Sequence, residues 1–233
     1  MSAPLLAFDT AQGALSAAIV SGENVLAHHF ELRTRGHAEE LMGVIAKVLQ
    51  EAHLTPADLG VLAVTIGPGT FTGLRVGLAA ARGMALARAL PLVGITTLEA
   101  VASVVTAQED EVIAAVFDAR RGEIYLQIFD ANHKALTQAM IVPLEQALIH
   151  VPGDRVIAVG TGAELLANQI EQAADLRCRL ADNPAQPDAL NVARLALAQL
   201  KVHGPDHFRR APAPVYLRPP DAKLPGGLDP VLG

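Results

Sequence analysis

The sequence predicts an α/β fold of two lobes, built from two copies of a β-β-β-α-β-α unit. The first support is an internal repeat, in which the segment AFDTAQGALSAAIV matches the segment VFDARRGEIYLQIF. Phe8, Asp9, Gly13 and Ile19 recur at a constant offset of 109 positions, so that Asp9 meets Asp118. The second support is that apolar runs of strand length alternate with longer runs of helical spacing, which is typical of α/β proteins. The third is a strand, glycine turn and helix that occur in both halves.

The first unit opens with three short strands. Apolar runs at residues 5–8, 15–20 and 25–32 are separated by tight-turn residues, which predicts an antiparallel meander. A helix over residues 38–52 follows, and its apolar residues recur at helical spacing: Leu41, Val44, Ile45, Val48 and Leu49.

The most specific segment is the glycine-rich run GPGTFTGLRVG, residues 67–77, between a β-branched strand and an alanine-rich helix. Glycine tolerates backbone angles that a Cβ forbids, and Thr70 and Thr72 are candidate helix N-caps. Bare N–H groups at a helix N-terminus suit an anion, but the run matches neither a P-loop nor a dinucleotide fingerprint. The turn's geometry alone favours an ordinary capped turn. The second unit repeats this arrangement over residues 156–173.

A stripe of small residues, Gly73, Gly77 and Ala81, follows one face of this helix at four-residue spacing. A glycine inside a helix costs about 1 kcal/mol relative to alanine, so two of them require a reason. Close approach of another backbone is the usual one. The approaching group is either this protein's own sheet or a second chain, and the sequence leaves both open.

Composition limits the class of protein. The chain has 233 residues, 51% of them hydrophobic, with a net charge of −6 and one cysteine, Cys178. No apolar run reaches the roughly 18 residues of a membrane span, and the N-terminus lacks a basic signal region. We therefore expect a cytoplasmic protein without disulfides that does not contact a membrane. Its negative charge argues against independent binding of nucleic acid.

We divide the chain into an N-terminal lobe, residues 1–106, and a C-terminal lobe, residues 107–218. The remaining residues, 219–233, are rich in proline and lack periodicity. We expect this last segment to be a flexible tail.

The chain resembles the TsaB (YeaZ) family. The resemblance rests on LAFDTAQGALSAAI near the N-terminus, RGHAEEL at residues 35–41 and above all IGPGTFTGLRVG at residues 66–77. The motifs DARRGEIY at residues 118–125 and PVYLR at residues 214–218 support it. The resemblance implies the two-lobed actin-like, sugar-kinase-like (ASKHA) fold, in which strand-end aspartates face a cleft between the lobes.

The family's implied role is that of a non-catalytic scaffold in tRNA threonylcarbamoyladenosine modification. It binds and supports a TsaD-type catalytic subunit, with a TsaE-type ATPase as a further partner, and contacts tRNA only indirectly. It forms a homodimer when the catalytic subunit is absent. The competing hypothesis is a free-standing nucleotide-dependent kinase or hydrolase of the same fold.

The resemblance also bears on site residues. In the catalytic sibling a His-x-x-x-His pair on the first helix holds a metal, whereas here His37 is followed four positions later by Leu41. One imidazole is not a metal site, so we expect neither a metal nor a catalytic residue. The implied partner interface uses the first two long helices, with these candidate residues: His37, Leu41, Ile45, Val48, Gly73, Gly77 and Ala81.

We expect no cofactor, but weak ATP or ADP binding stays open. Its candidate residues are Asp9, Thr10, Gly69 and Thr70. The glycine that lets a backbone approach phosphates is delayed here to Gly13. The favoured alternative is that the aspartates at the two strand ends, Asp9 and Asp118, accept hydrogen bonds from turn N–H groups.

Overall fold

The protein forms two five-stranded sheets in a computed structural model that describes residues 3–172, 176–183 and 185–218. The first unit comprises β1 Leu5–Asp9, β2 Ala14–Ser21, β3 Asn24–Leu32, α1 His37–Glu51, β4 Val61–Gly67, α2 Phe71–Arg88, β5 Leu92–Thr96 and α3 Thr97–Ala102. The second comprises β6 Val112–Arg120, β7 Glu123–Phe129, β8 Met140–Pro143, β9 Arg155–Val159, α4 Ala163–Glu171, β10 Arg177–Leu180 and α5 Ala189–His203. Short 3₁₀ helices span Pro56–Asp58, Leu144–His150 and Pro205–Phe208.

The two sheets have the same topology, which confirms the duplicated fold. Their strand orders are β3-β2-β1-β4-β5 and β8-β7-β6-β9-β10. In each sheet the unit's first strand is central, antiparallel to the second and parallel to the fourth. Each unit is longer than predicted, because a further strand and helix extend it to β-β-β-α-β-α-β-α.

The units differ in their first helix. In the first unit α1 is a full α-helix, whereas the corresponding segment of the second is the 3₁₀ helix Leu144–His150. Only residues 144–154 connect β8 to β9. That connection is too short for a long α-helix with its flanking turns, and 3₁₀ geometry is common in such short pieces.

The first sheet is covered on both faces. On one face α1 and α2 pack side by side, with Leu41, Ile45, Val48 and Leu78 buried against Phe8 and Leu15. On the other face lies α5. The core of this lobe is therefore a three-layer α/β arrangement, as alternating strands and helices predict.

The predicted lobe boundaries need a correction. The alanine-rich face of α5 lies on the first sheet, in contact with residues of β1, β2, β4 and β5. Conversely, Leu98 and Val101 of α3 pack with Phe117 and Ile157 of the second sheet. The helix α5 thus belongs with the first lobe, whereas α3 lies between the lobes, because its Ala100 packs with residues of the first sheet. Small side chains on α5 allow it to lie close to a sheet distant in sequence.

Among residues 3–172, 176–183 and 185–218, no helix has both the length and the apolar composition needed to cross a bilayer. The predicted flexible tail, residues 219–233, lies outside the described residues.

Candidate functional site

The glycine-rich turn packs against the end of β1. Thr70 is the N-cap of α2, as predicted, and its hydroxyl accepts a hydrogen bond from Gly73 N at 3.2 Å. The backbone N–H of Thr70 donates to Ala11 O at 2.7 Å. A Cβ on Gly69 would lie 2.4 Å from that same oxygen, so only glycine fits at this position. The turn's N–H groups are thereby partly occupied by the protein's own backbone.

Asp9 and Thr10 point inward rather than towards the cleft. Both are buried, with 0% and 1% of their surface exposed. Asp9 Oδ1 accepts hydrogen bonds from Thr65 Oγ1 at 2.5 Å and from Ala11 N at 3.1 Å. Thr10 Oγ1 donates to Gly73 O at 2.7 Å. The prediction that Asp9 and Thr10 contact a nucleotide is therefore wrong for this arrangement, because their polar atoms serve the interior.

The other oxygen of Asp9, Oδ2, is buried and has no hydrogen-bond partner within the described part of the chain. Burial in a low-dielectric interior disfavours the carboxylate, and it raises the pKa of Asp9 to about 7, against the opposing hydrogen bond from Thr65. At neutral pH this carboxyl group is therefore protonated in a substantial fraction of molecules.

The equivalent aspartate of the second unit, Asp118, sits at the cleft. Its Oδ1 accepts a hydrogen bond from Arg120 N at 2.7 Å, and Oδ2 lies 3.2 Å from the Arg120 guanidinium. Asp9 makes the corresponding bond to Ala11 N. The interpretation that both aspartates hold turn N–H groups is confirmed.

A cleft of about 980 Å³ separates the lobes and is the candidate functional site. Gly69 and Thr70 line it from the first lobe, and Asp118 and Arg120 line it from the second. Sequence reasoning missed several further lining residues: Arg33, Tyr125, Tyr216 and Arg218. The available signal was the motif PVYLR, which supplies Tyr216 and Arg218, and DARRGEIY, which supplies Tyr125. Both tyrosines of the chain lie here.

The small-residue stripe serves the internal core, which corrects the predicted interface. A Cβ on Gly73 would lie 2.0 Å from Thr10 O, and one on Gly77 would lie 2.7 Å from Thr10 Oγ1. Ala81 has 0% exposure. The approaching backbone is therefore the end of β1, and these three residues have no surface to offer a second chain.

The predicted interface residues on α1 are also internal. Leu41, Ile45 and Val48 are at most 2% exposed. The ring of His37 is half-buried, and its Nε2 lies 3.1 Å from Ala14 O. Among the described residues, no group of three or more histidine, cysteine or acidic side chains could hold a metal ion.

The outward side of the same two helices has a different character. We define the α1–α2 face by these exposed residues: Met42, Gly43, Ala46, Ala79, Gly83 and Leu86. A Cβ on Gly43 or Gly83 would meet nothing within 4 Å. Met42 and Leu86 are the large apolar residues of this face, at 54% and 86% exposure, and Arg82 lies between Ala79 and Leu86 on the same side of α2.

Two lobes of matching topology, each with an aspartate at the end of its central strand and with a cleft between them, define an α/β protein of the actin-like class. Component A of the (R)-2-hydroxyglutaryl-CoA dehydratase of Acidaminococcus fermentans is similar in fold only. Its structure has a TM-score of 0.51 and 11% sequence identity, and the match covers 86% of this chain and 100% of that one.

Residues 25–202 match the family model described as TsaD, tRNA N6-adenosine threonylcarbamoyltransferase. A TsaB protein of Haemophilus influenzae is 31% identical over 172 residues, covering 68% of this chain and 72% of the relative. The chain therefore belongs to the TsaB (YeaZ) family, within the broader family of that model. The Escherichia coli TsaB protein is 39% identical over 98 residues, and the match covers 42% of each chain. The matched segment thus spans less than half of that relative.

Two solved Pseudomonas aeruginosa structures agree with this membership. One, described as similar to peptidase YeaZ, has a TM-score of 0.78 and 28% identity over 94% of this chain and 100% of that one. The other, named YeaZ, has a TM-score of 0.75 and 27% identity over 93% and 100% of the two chains.

Proposed function

We propose that the chain is a non-catalytic subunit of the machinery that makes threonylcarbamoyladenosine in tRNA. It binds and supports a TsaD-type catalytic subunit in the cytoplasm, with a TsaE-type ATPase as a further partner and only indirect contact with tRNA. The names of its relatives support the pathway, since those from E. coli and H. influenzae are tRNA threonylcarbamoyladenosine biosynthesis proteins.

The observation that carries the scaffold role is the α1–α2 face. Monomeric proteins rarely leave contiguous apolar surface uncovered, and such patches mark sites of interaction. Exposed glycines and alanines let a partner helix approach closely. This face, rather than the buried stripe at Gly73 and Gly77, is the proposed interface.

The exposed side of α1 is acidic and favours a basic partner surface. It carries Glu39, Glu40 and Glu51 with one lysine. The three arginines of α2 each donate a hydrogen bond within the chain, so they do not serve as that surface. We propose a homodimer through this face, related by a twofold axis, that the catalytic subunit displaces.

The burial of Asp9 and Thr10 supports a non-catalytic role over a free-standing kinase or hydrolase. A phosphate-binding aspartate must be reachable from the cleft, and Asp9 is 0% exposed. We assign any weak ATP or ADP binding to the cleft beside Gly69 and Thr70, and we expect no tightly bound cofactor.

The interface is tested with Gly83→Arg, a surface change in α2 with room for the new side chain. We expect the dissociation constants for self-association and for the host's TsaD-type subunit to rise at least about 10-fold, the equivalent of 1.4 kcal/mol. Gln146→Arg, an equally exposed position on the second lobe, is the control. Light scattering gives the mass and calorimetry the affinity. Normal binding by Gly83→Arg would place the interface elsewhere.

The non-catalytic role has its own test. The isolated chain, given tRNA and threonylcarbamoyl-adenylate, should form no modified tRNA, whereas the mixture with the catalytic subunit should. Product formed by this chain alone at the rate of the full mixture would overturn the proposal.

A further inference from the structure

The described chain ends in an extended segment that crosses from one lobe to the other. We call residues Pro212–Arg218 the strap. It leaves the 3₁₀ helix Pro205–Phe208, passes along the first lobe and ends beside the β6–β7 turn of the second. Val215, Tyr216, Leu217 and Arg218 line the cleft. The strap therefore forms part of the cleft wall and contacts both of its sides.

Backbone hydrogen bonds and an arginine fix the strap to the first lobe. Val215 N donates to the backbone oxygen of Ile66, one residue before the end of β4, at 2.7 Å. Arg82 of α2 donates through Nη2 to Pro212 O at 2.6 Å. These contacts hold the strap's backbone rather than its side chains.

A third attachment to the first lobe lies at the start of α2. The Tyr216 ring packs on Phe71 with centroids 5.7 Å apart, and the Arg75 guanidinium lies 3.5 Å from the centre of the Phe71 ring. Arg75 Nε also donates to Tyr216 Oη at 3.3 Å. The tilted aromatic pair and the cation–π contact add to the attachment.

Two glycines of the first lobe leave the space that the strap occupies. Gly67 has a φ of 110°, and a Cβ there would lie 2.7 Å from Val215 O. A Cβ on Gly94 of β5 would lie 2.8 Å from Pro212 Cβ. The first lobe therefore carries a built seat for the strap, and the first glycine of the specific run belongs to that seat.

The attachment to the second lobe is much narrower. Arg218 Nη1 donates to Ala119 O of β6 at 2.8 Å, and its Nη2 donates to the carboxylate of Glu123 at the start of β7. The side chains of Arg218 and Glu123 are 22% and 36% exposed, so water and salt can compete for the pair.

We propose that the strap is an interlobe latch, with Arg218 as its releasable end. The seat on the first lobe keeps residues 212–217 in place, while Arg218 alone ties that seat to the β6–β7 turn among the contacts described for the strap. Release of Arg218 frees the second lobe to move away and widens the cleft without unfolding either sheet. The latch does not depend on the proposed function, since it concerns the cleft and not the α1–α2 face.

The test is Arg218→Ala, with Arg210→Ala as the matched control in the exposed segment that precedes the strap. Fluorophores placed at Ala198 of α5 and Gln146 of the second lobe, in a Cys178→Ala background, report the interlobe distance by single-molecule energy transfer. At picomolar concentration the measurement is made on monomers. We expect lower transfer efficiency, from a longer distance, in Arg218→Ala and no change in Arg210→Ala.

Hydrogen exchange provides the second readout. The amide of Val215, protected by Ile66 O, should exchange at the native rate in Arg218→Ala, because the seat holds residues 212–217 in place without Arg218. Should Arg218→Ala fail to fold, Arg218→Lys keeps the charge but loses the two-pronged contact, and is expected to lower the transfer efficiency by a smaller amount. Unchanged transfer efficiency in a folded Arg218 variant overturns the latch. The same shift in Arg210→Ala also overturns it.

Discussion

Replacing Gly73 with alanine distinguishes internal packing from an external interface. The added methyl would lie 2.0 Å from Thr10 O and 2.6 Å from Thr70 Oγ1. Reaching even 3.0 Å from the first atom requires a displacement of about 1 Å between α2 and the end of β1. The nearest atom is backbone, which cannot rotate away as a flexible side chain would.

The free-energy cost has three parts. Overpacking of a well-packed core costs about 1–3 kcal/mol. Displacement strains the buried Thr10–Gly73 hydrogen bond and the Thr70 cap, each worth about 1 kcal/mol. The higher helix propensity of alanine offsets about 1 kcal/mol of this cost. The net expectation is a loss of about 2–4 kcal/mol in the free energy of unfolding, or a melting temperature lowered by roughly 4–16 °C at 2–4 °C per kcal/mol.

Gly83→Ala is the matched control in the same helix. No atom lies within 4 Å of its would-be Cβ, so only propensity changes, and stability should rise by about 1 kcal/mol. Urea denaturation followed by circular dichroism measures both variants. The reasoning is refuted if Gly73→Ala is as stable as the native chain yet no longer self-associates, because the glycine stripe would then face a second molecule.

Three further predictions concern titratable groups. Because the folded pKa of Asp9 is about 7 and its ordinary value 3.8, the free energy of unfolding should fall by about 3 kcal/mol as the pH rises from 4 to 7. Asp9→Asn should abolish this slope in urea titrations, and parallel slopes would contradict it. The hydrogen bond to Asp188 raises the pKa of His28, so the contribution of this pair to the free energy of unfolding is present below pH 6.5 and lost as the pH rises through the folded pKa. His28→Gln should therefore destabilise the fold more at pH 6 than at pH 9, and equal losses at the two pH values would count against the pair. The Arg179 guanidinium lowers the pKa of Glu111 to about 2, so the contribution of this ion pair to the free energy of unfolding is present above pH 4.5 and lost as the pH falls towards 2. Glu111→Gln should lower the free energy of unfolding by about 2 kcal/mol at pH 7 in the same assay, and an unchanged value would refute this.

Local features of the glycine-rich turn could be predicted from the sequence. Cap chemistry and strand-then-helix periodicity act over a few residues, so a threonine N-cap and the order of strand, turn and helix followed from neighbouring side chains. What approaches Gly73 did not follow, because a requirement for close contact does not say which backbone makes it. In the structure the approaching backbone is that of Thr10, which lies 63 positions before Gly73 in the chain.

The sequence by itself determined the duplicated two-lobed fold, since the repeat and the alternation of apolar patterns are written along the chain. Only the tertiary structure decided that α5 packs on the first sheet, that Asp9 is buried, and that the strap closes one side of the cleft. These outcomes depend on contacts between segments far apart in the chain. Such contacts are selected by shape and burial in three dimensions. A periodic apolar pattern shows that a face is buried but does not specify which distant segment covers it.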